Sequence, residues 1–364
     1  MARRRTRFVP PHCPNPDCDS HEDSGTWRFK KKGFFERKQG PRLVQRYLCQ
    51  HCRVNFSSQT FAVDYWLKTP RLLKAVFWGS VNCSCLRQLA RAQRVRHATI
   101  QRIAERLGRH CLLLHEALKP TGAPTEPLVL DGFRTLESGH YWPFDLNLLV
   151  GMSNYVYGFN EAELRRGGTH TPKQATKRTR LEGIFGRPDP QATRKSIQEL
   201  MERHLPEGSE VEVHSDAHQA YPLAFRRLRN RVIHHRVTSS KAMRTPSNPL
   251  FPVNLADDWL RHSSANHKRK TIAFSKRRQG AMYRAAIWLV WRNYLQSSSE
   301  RKRDAPPSVK IGAIPKVLTL NDVLRTRQFP WKTELTGWLR ECYYGRIPTR
   351  RIPNGRAHTL VYAV

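Results

Sequence analysis

EVEVHSDAHQAY, residues 210–221, decides how this chain folds. Glu210, Glu212 and His214 alternate with Val211 and Val213, the two-residue period of a strand with one buried face. The strand then stops on Ser215 and Asp216. A carboxylate at a strand end is costly to keep charged unless a cation stands beside it. Upstream, LVLDGF (128–133) is a continuous apolar run that also ends on an acid, Asp131, and it reads as a buried central strand. HYWPFDLNLLVGM (140–152) and NYVYGF (154–159) supply two more strands. Residues 160–188 are charged and glycine-bearing, and are expected to form an exposed insertion. DPQATRKSIQELMERHL (189–205) reads as a helix with Asp189 as its cap and Pro190 in its first turn. After Asp216 come a helix in YPLAFRRL (221–228), a strand in RVIHHRV (231–237), and a long helical region from about Asn254 to Leu295 that carries Asp257 and Asp258 near its start.

The order is therefore strand with acid, strand, strand, helix, strand with acid, helix, strand, helix. Three acids so placed can converge on one edge of a sheet. Their repulsion asks for a cation, and hard carboxylate oxygens suit Mg2+ or Mn2+. Two such ions can clamp the attacking and leaving oxygens of a phosphodiester substitution. Taken singly, each of these acids could instead be a helix cap or a turn residue.

Charge points to the partner. The 364 residues include 64 Lys and Arg against 29 Asp and Glu, a formal charge of +35. The basic residues run along the whole chain, which favours a polyanion touching several domains; nucleic acid fits best. With 39% hydrophobic residues the chain can bury a core, and its length suggests two or three domains. No uncharged apolar stretch reaches the roughly 18 residues of a membrane span, and MARRRTRFVPPH lacks the apolar core of a signal peptide. The expectation is a soluble, cytoplasmic protein without a membrane partner. In that compartment the eight cysteines are metal ligands or buried thiols rather than disulfides.

CPNPDC gives Cys13 and Cys18, and YLCQHC gives Cys49 and Cys52. Two close pairs some thirty residues apart match a four-thiolate structural zinc site. The segments TWRFKKKGFFER and RLVQRYLC between them read as strands, so residues 1–65 are expected to form a zinc ribbon. His12 and His51 flank the ligands. Cys83, Cys85, Cys111 and Cys342 read as structural thiols.

SCLRQLARAQRVRHATIQRIAERLGRHCLLLH (84–115) carries two apolar stripes, Leu86, Leu89 and Ala90, then Ile100, Ile103, Ala104 and Leu107. The short RVRHA between them fits a helix-turn-helix within residues 66–117. Gln101, Arg102 and Arg106 would lie on the outer face of its second helix, within reach of phosphates or base edges. LKPTGAPTEP (118–127) is a linker, and residues 128–296 form the α/β domain. Beyond the loop SSSERKRDAPPS (297–308), the basic, aromatic C-terminal region (297–364) suits DNA contact, subunit association or packing.

YLCQHCRVNFSS, LVLDGF, HSDAHQAYP and SSANHKRKTIAFSKRRQGAMYRAAIWLVWRNY together resemble the bacterial insertion-sequence transposases of the acidic-triad (DDE or DDD) class. The resemblance spans residues from about 12 to 300. It implies a multidomain α/β protein: an N-terminal zinc ribbon, a helix-turn-helix and a ribonuclease-H-like mixed-sheet catalytic domain. It implies that Asp131 and Asp216 are the first two metal-binding catalytic acids. The family's commonest third acid is Glu, but between Glu212 and Glu300 the only acids are Asp216, Asp257 and Asp258. The third role falls to Asp257, with Asp258 the alternative. The implied reaction is hydrolysis at the element's end followed by attack of the freed 3′-hydroxyl on target DNA, carried out by a homodimer or larger assembly. His262, His267, Lys268, Arg269, Lys270, Lys276, Arg277 and Arg278 become candidate phosphate contacts. The rival reading is a non-catalytic zinc-ribbon and helix-turn-helix regulator, or an inactive relic.

Overall fold

Two separate sheets hold the eight strands found among the described residues. The structure, a computed structural model, describes residues 8–22, 25, 27–37, 43–239, 241–268, 271–299, 301–325 and 327–353. The first sheet is antiparallel, with β1 (Phe29–Glu36), β2 (Leu43–Cys49) and β3 (Asn55–Ser57) in that order. Both expected strands between the cysteine pairs are present. Three helices follow: α1 (Leu72–Val81), α2 (Leu86–Ala92) and α3 (His97–Leu118).

The second sheet is mixed. It contains β4 (Leu128–Leu136), β5 (Pro143–Gly151), β6 (Val156–Glu163), β7 (Glu210–Ser215) and β8 (Val232–Val237), ordered β6-β5-β4-β7-β8. The first three strands form an antiparallel meander, while β4–β7 and β7–β8 are parallel. β5 is buried along its whole length because helices cover both its faces. β7 alternates as its sequence demands, with Val211, Val213 and Ser215 inside and Glu210 outside.

The connecting helices are α4 (Pro172–Phe185), α5 (Ala192–His204), α6 (Ala220–Phe225), α7 (Phe251–Ser263) and α8 (Arg278–Val290). α5 packs on β6 and β5, and Ser196 joins Asn147 and Asn160 in a buried hydrogen-bonded knot. α7 lies on β4 and β5, and α8 packs against α3. α3 and α8 approach closely at Gly108, where a Cβ would fall 2.4 Å from the Tyr283 Cβ. One continuous apolar core runs from Leu72 in α1 through the five-stranded sheet to Leu339 near the C-terminus.

Two sequence expectations need correction here. The long helical region is two helices, α7 and α8, and the described residues between them, 264–268 and 271–277, include backbone and side-chain groups that bond outside any helix. Thr271 Oγ1 donates to the Ala265 carbonyl, Ala273 N–H donates to Thr271 Oγ1, and the Ser275 carbonyl accepts from Ser138 N–H. The insertion begins later than residue 160: β6 continues to Glu163 with Asn160 and Ala162 buried, and α4, which buries no residue, occupies part of what remains.

The C-terminal region packs on the rest of the molecule. It adds α9 (Pro307–Lys310), α10 (Leu320–Arg325) and α11 (Gly337–Tyr343). Residues 297–299 and 301–305 fold back on one another, with Ser297 and Ser298 hydroxyls donating to the Asp304 and Ala305 carbonyls. Phe329 and Trp331 then join the aromatic core of the first sheet, beside Tyr47, Phe56 and Phe61.

Candidate active site, metal centre and nucleic-acid surface

The parallel register of β4 and β7 brings two acids side by side. Leu128 faces Val213 and Val129 faces His214. β7 ends at Ser215, so Asp216 stands one residue past the strand, near enough for its charge to act on Asp131, whose side chain shares one face of β4 with Phe133. α7 covers that face and brings Asp257 to it. Arg261, one turn on from Asp257, stacks 4.4 Å from the ring of Phe133, the next residue of β4 on that side.

Electrostatics links the three acids. Burial raises the Asp131 pKa, and the neighbouring charges of Asp216 and Asp145 raise it further; the Gly132 N–H, 2.7 Å from Oδ1, opposes them. Burial drives Asp257 well above the ordinary carboxylate range, with Asp131 the largest charge acting in the same direction and Arg261 opposing. Asp257 Oδ1 is buried and finds no hydrogen-bond partner among the described residues. Asp258, the alternative third acid, is exposed. Among the described residues only the four cysteines bring three or more possible ligand atoms within 4.8 Å of one another, so the three carboxylates neighbour one another without closing on one point.

Three residues around the acids escaped the sequence reading. The Tyr221 hydroxyl adjoins Asp131; burial, then the charges of Asp131, Asp216 and Asp145, hold it protonated. Asp145 lies on the opposite face of β5 and takes a two-pronged pair from Arg134, at 3.0 and 3.1 Å. The available signal was an acid inside the otherwise apolar run of 143–151. His214 and His218, which flank the second acid, bond locally: His214 Nε2 lies 2.8 Å from Glu212, and the His218 N–H donates to Asp216 Oδ1 at 2.9 Å.

At the front of the chain, Cys13, Cys18, Cys49 and Cys52 form a cluster that could bind a metal ion such as zinc. The sulfur separations are 3.6 Å for Cys13–Cys52 and 4.0 Å for Cys18–Cys49. They bracket the edge of a tetrahedron with zinc–sulfur bonds of 2.3 Å, about 3.8 Å. Burial at Cys49 is outweighed by the N–H groups of Cys52, the Trp27 indole and His51, which bring that thiol down to about 6 and ready it as a thiolate ligand. His12 is buried against Phe61 and Phe329, and His51 pairs with Asp19. Cys111 and Cys342 are buried as expected; Cys83 and Cys85 are only half-buried.

The helical pair α2 and α3 meets at a turn where Arg94 takes a positive φ of 52°. Arg87, Arg91, Arg94, Arg96 and His97 line a hollow of about 620 Å³ there. The sequence reading passed over these arginines, although 87, 91 and 94 already repeat at helical spacing. Of the residues it chose, Arg102 is exposed and Gln101 is half-buried and bonded to Glu105. Arg106 must be withdrawn as a DNA contact, because it turns inward to the carbonyls of Val63 and Tyr65.

Two members of the second basic group are likewise corrected. His267 is buried against Phe133, and burial lowers its pKa to about 3. Arg278 is 2% exposed and faces Glu137, Glu161 and Glu163 at 3.2, 2.7 and 3.3 Å. Buried carboxylates are hard to leave unpaired, so this guanidinium is held inside. His262, Lys268 and Lys276 are exposed, and Arg277 donates to the Pro353 carbonyl. Arg269 and Lys270 lie outside the described residues. No described helix is long and apolar enough to cross a membrane. No protein-family model and no curated protein matches this chain.

Proposed function

We propose that the chain is a DNA transposase of the acidic-triad class, built on a ribonuclease-H-like domain. One observation carries this reading: Asp216, just past the end of β7, lies near enough to Asp131 on the adjacent parallel strand β4 for its charge to act there, and Asp257, with a buried oxygen lacking a donor among the described residues, comes near the same acid. The strand order β6-β5-β4-β7-β8, an antiparallel meander joined to two parallel strands, supports the ribonuclease-H-like assignment. The +35 charge and the arginine-lined hollow at the α2–α3 turn support double-stranded DNA as the partner.

In this reading Asp131, Asp216 and Asp257 hold Mg2+ or Mn2+. The bound ions would lower the pKa of the attacking water or 3′-hydroxyl and neutralise charge on the leaving oxygen. The protein's own part is positional. β4 and β7 fix two carboxylates rigidly, α7 brings the third, and the buried setting keeps competing donors away from Asp257. Tyr221, held protonated beside Asp131, orients that carboxylate. The four-cysteine ribbon binds structural zinc, and two copies synapse two element ends.

The test combines purified protein, Mg2+ or Mn2+, a donor duplex carrying the DNA that flanks the coding sequence, and a supercoiled target. Joined donor–target products are expected, with Asp131→Asn, Asp216→Asn and Asp257→Asn each reducing them to background. Metal-dependent cuts without joining would make the chain a nuclease. DNA binding without any cleavage would favour a regulator or inactive relic, a reading to which the open spacing of the three carboxylates lends some weight.

A further inference from the structure

α4 is a 14-residue helix that buries none of its residues. A helix that is polar all round must be stabilised by its own pairs or bridge to something else. Its two sides divide the tasks. Gln174 caps the helix with Thr171, Arg178 donates to the Arg166 carbonyl and pairs with Glu182, and Glu182 pairs with Arg165. The C-terminal residue Phe185 meets Trp142 edge to face at 5.6 Å. The other side carries Lys173, Lys177 and Arg180, spaced i, i+4 and i+7, all exposed. Residues 172–185 contain four cations and a single acid, Glu182.

The helix is firmly mounted at the sheet end toward which the acids lie. Asp131 is level with Leu148 and, across β5, with Phe159. β6 runs on from there to Glu163, about 13 Å further along the sheet at strand spacing. Tyr141, in the turn between β4 and β5, lies under both Arg166 and Lys177, at 4.5 and 5.1 Å. Arg350 clamps the base by bonding Glu163 and the carbonyl of Phe185. The mount leaves Lys173 and Arg180 facing outward, with Lys177 between them exposed beside Tyr141.

We infer that α4 is a docking element for the phosphate backbone of double-stranded DNA, gripping the duplex beyond the acidic site through Lys173, Lys177 and Arg180. Charge complementarity selects the occupant, because a three-cation stripe with no acid on its side fits a polyanion and repels a second copy of itself. The stripe spans about 10 Å of helix axis, or about three phosphate steps along one strand. The inference rests on the reading of DNA as the partner, but not on catalysis.

The experiment measures binding of a fluorescein-labelled random-sequence duplex to the full chain by anisotropy, between about 50 and 200 mM salt. Lys173→Gln with Arg180→Gln removes two cations that hold nothing in the fold, and an unchanged melting curve verifies this. Each lost phosphate contact lowers the slope of log K against log salt by about 0.9, so a loss of about 2 is expected. The exposed pair Arg301→Gln and Lys316→Gln serves as the charge-matched control and should keep the wild-type slope. An unchanged slope in the α4 variant, or an equal loss in both variants, overturns the proposal while DNA binding stands. Failure of the unaltered protein to bind the duplex overturns the DNA reading and this inference together.

Discussion

At the scale of single residues, Asp257 carries the sharpest prediction. Its pKa is raised by burial and by the charge of Asp131. A carboxyl raised in this way favours the folded state while protonated; that stability is present below the ordinary Asp value of about 4 and is lost as pH rises through the folded value. Without divalent metal, Asp257→Asn should therefore raise the melting temperature at about pH 8, by about 2–4 °C for each kcal/mol of repulsion removed, and leave it unchanged below about pH 4. Mg2+ or Mn2+ should stabilise the unaltered protein and not the variant. Differential scanning fluorimetry with and without metal reads both effects. A variant that is less stable at high pH would show that the carboxylate is already satisfied by the protein.

At the scale of elements, the first sheet depends on its cysteines. β1 is exposed along nearly its whole length and has no fully buried residue, while the short β2 and β3 bury only five residues between them. Binding free energies of about 10–16 kcal/mol for structural zinc are what such a small sheet needs. Cys49→Ser should abolish a stoichiometry of about one zinc per chain and remove amide-exchange protection from β1–β3, while β4–β8 stay protected. Retained protection would make the metal dispensable. Local patterns were legible at this scale wherever one period ruled: the alternation in 210–215, the apolar run at 128–130 and the paired cysteines all lie where the sequence sets them. The break between α7 and α8 was hidden, because it shows only in hydrogen bonds such as those of Thr271 to Ala265 and of Ser138 to the Ser275 carbonyl, which no sequence period announces. Arg278 and Arg106 looked like surface cations because nothing in their neighbourhood names the distant acids and carbonyls that hold them. The choice of Asp257 over Asp258 rested on the family resemblance, which asks for a third acid in a stretch that holds no Glu.

At the scale of the whole molecule, Arg278 ties four segments together. It faces Glu137 after β4 and Glu161 and Glu163 on β6, and it bonds the Pro348 carbonyl of the C-terminal region. Arg350, from that same region, shares Glu163. Two guanidiniums cannot fully neutralise three carboxylates, and burial, with Glu161 and Glu163 nearby, raises Glu137 to about 7 despite the Arg278 charge. Arg278→Gln should cost about 3–5 kcal/mol, read from urea midpoints, because it strands buried charge. Stability of the unaltered protein should fall as pH rises through about 7, and Glu137→Gln should flatten that fall. A slope that persists in the variant would assign the titration to another group.

The aromatic seam between Phe329, Trp331 and the first sheet bears on the order of synthesis. The four cysteines have all emerged by Cys52, yet the aromatic face of the first sheet is covered only once residue 331 has been made. This sheet is thus completed long after its own residues are made. A nascent product lacking Phe329 and Trp331 would present Tyr47, Phe56 and Phe61 uncovered and invite degradation, so an intact first sheet and the segment that covers it arrive together.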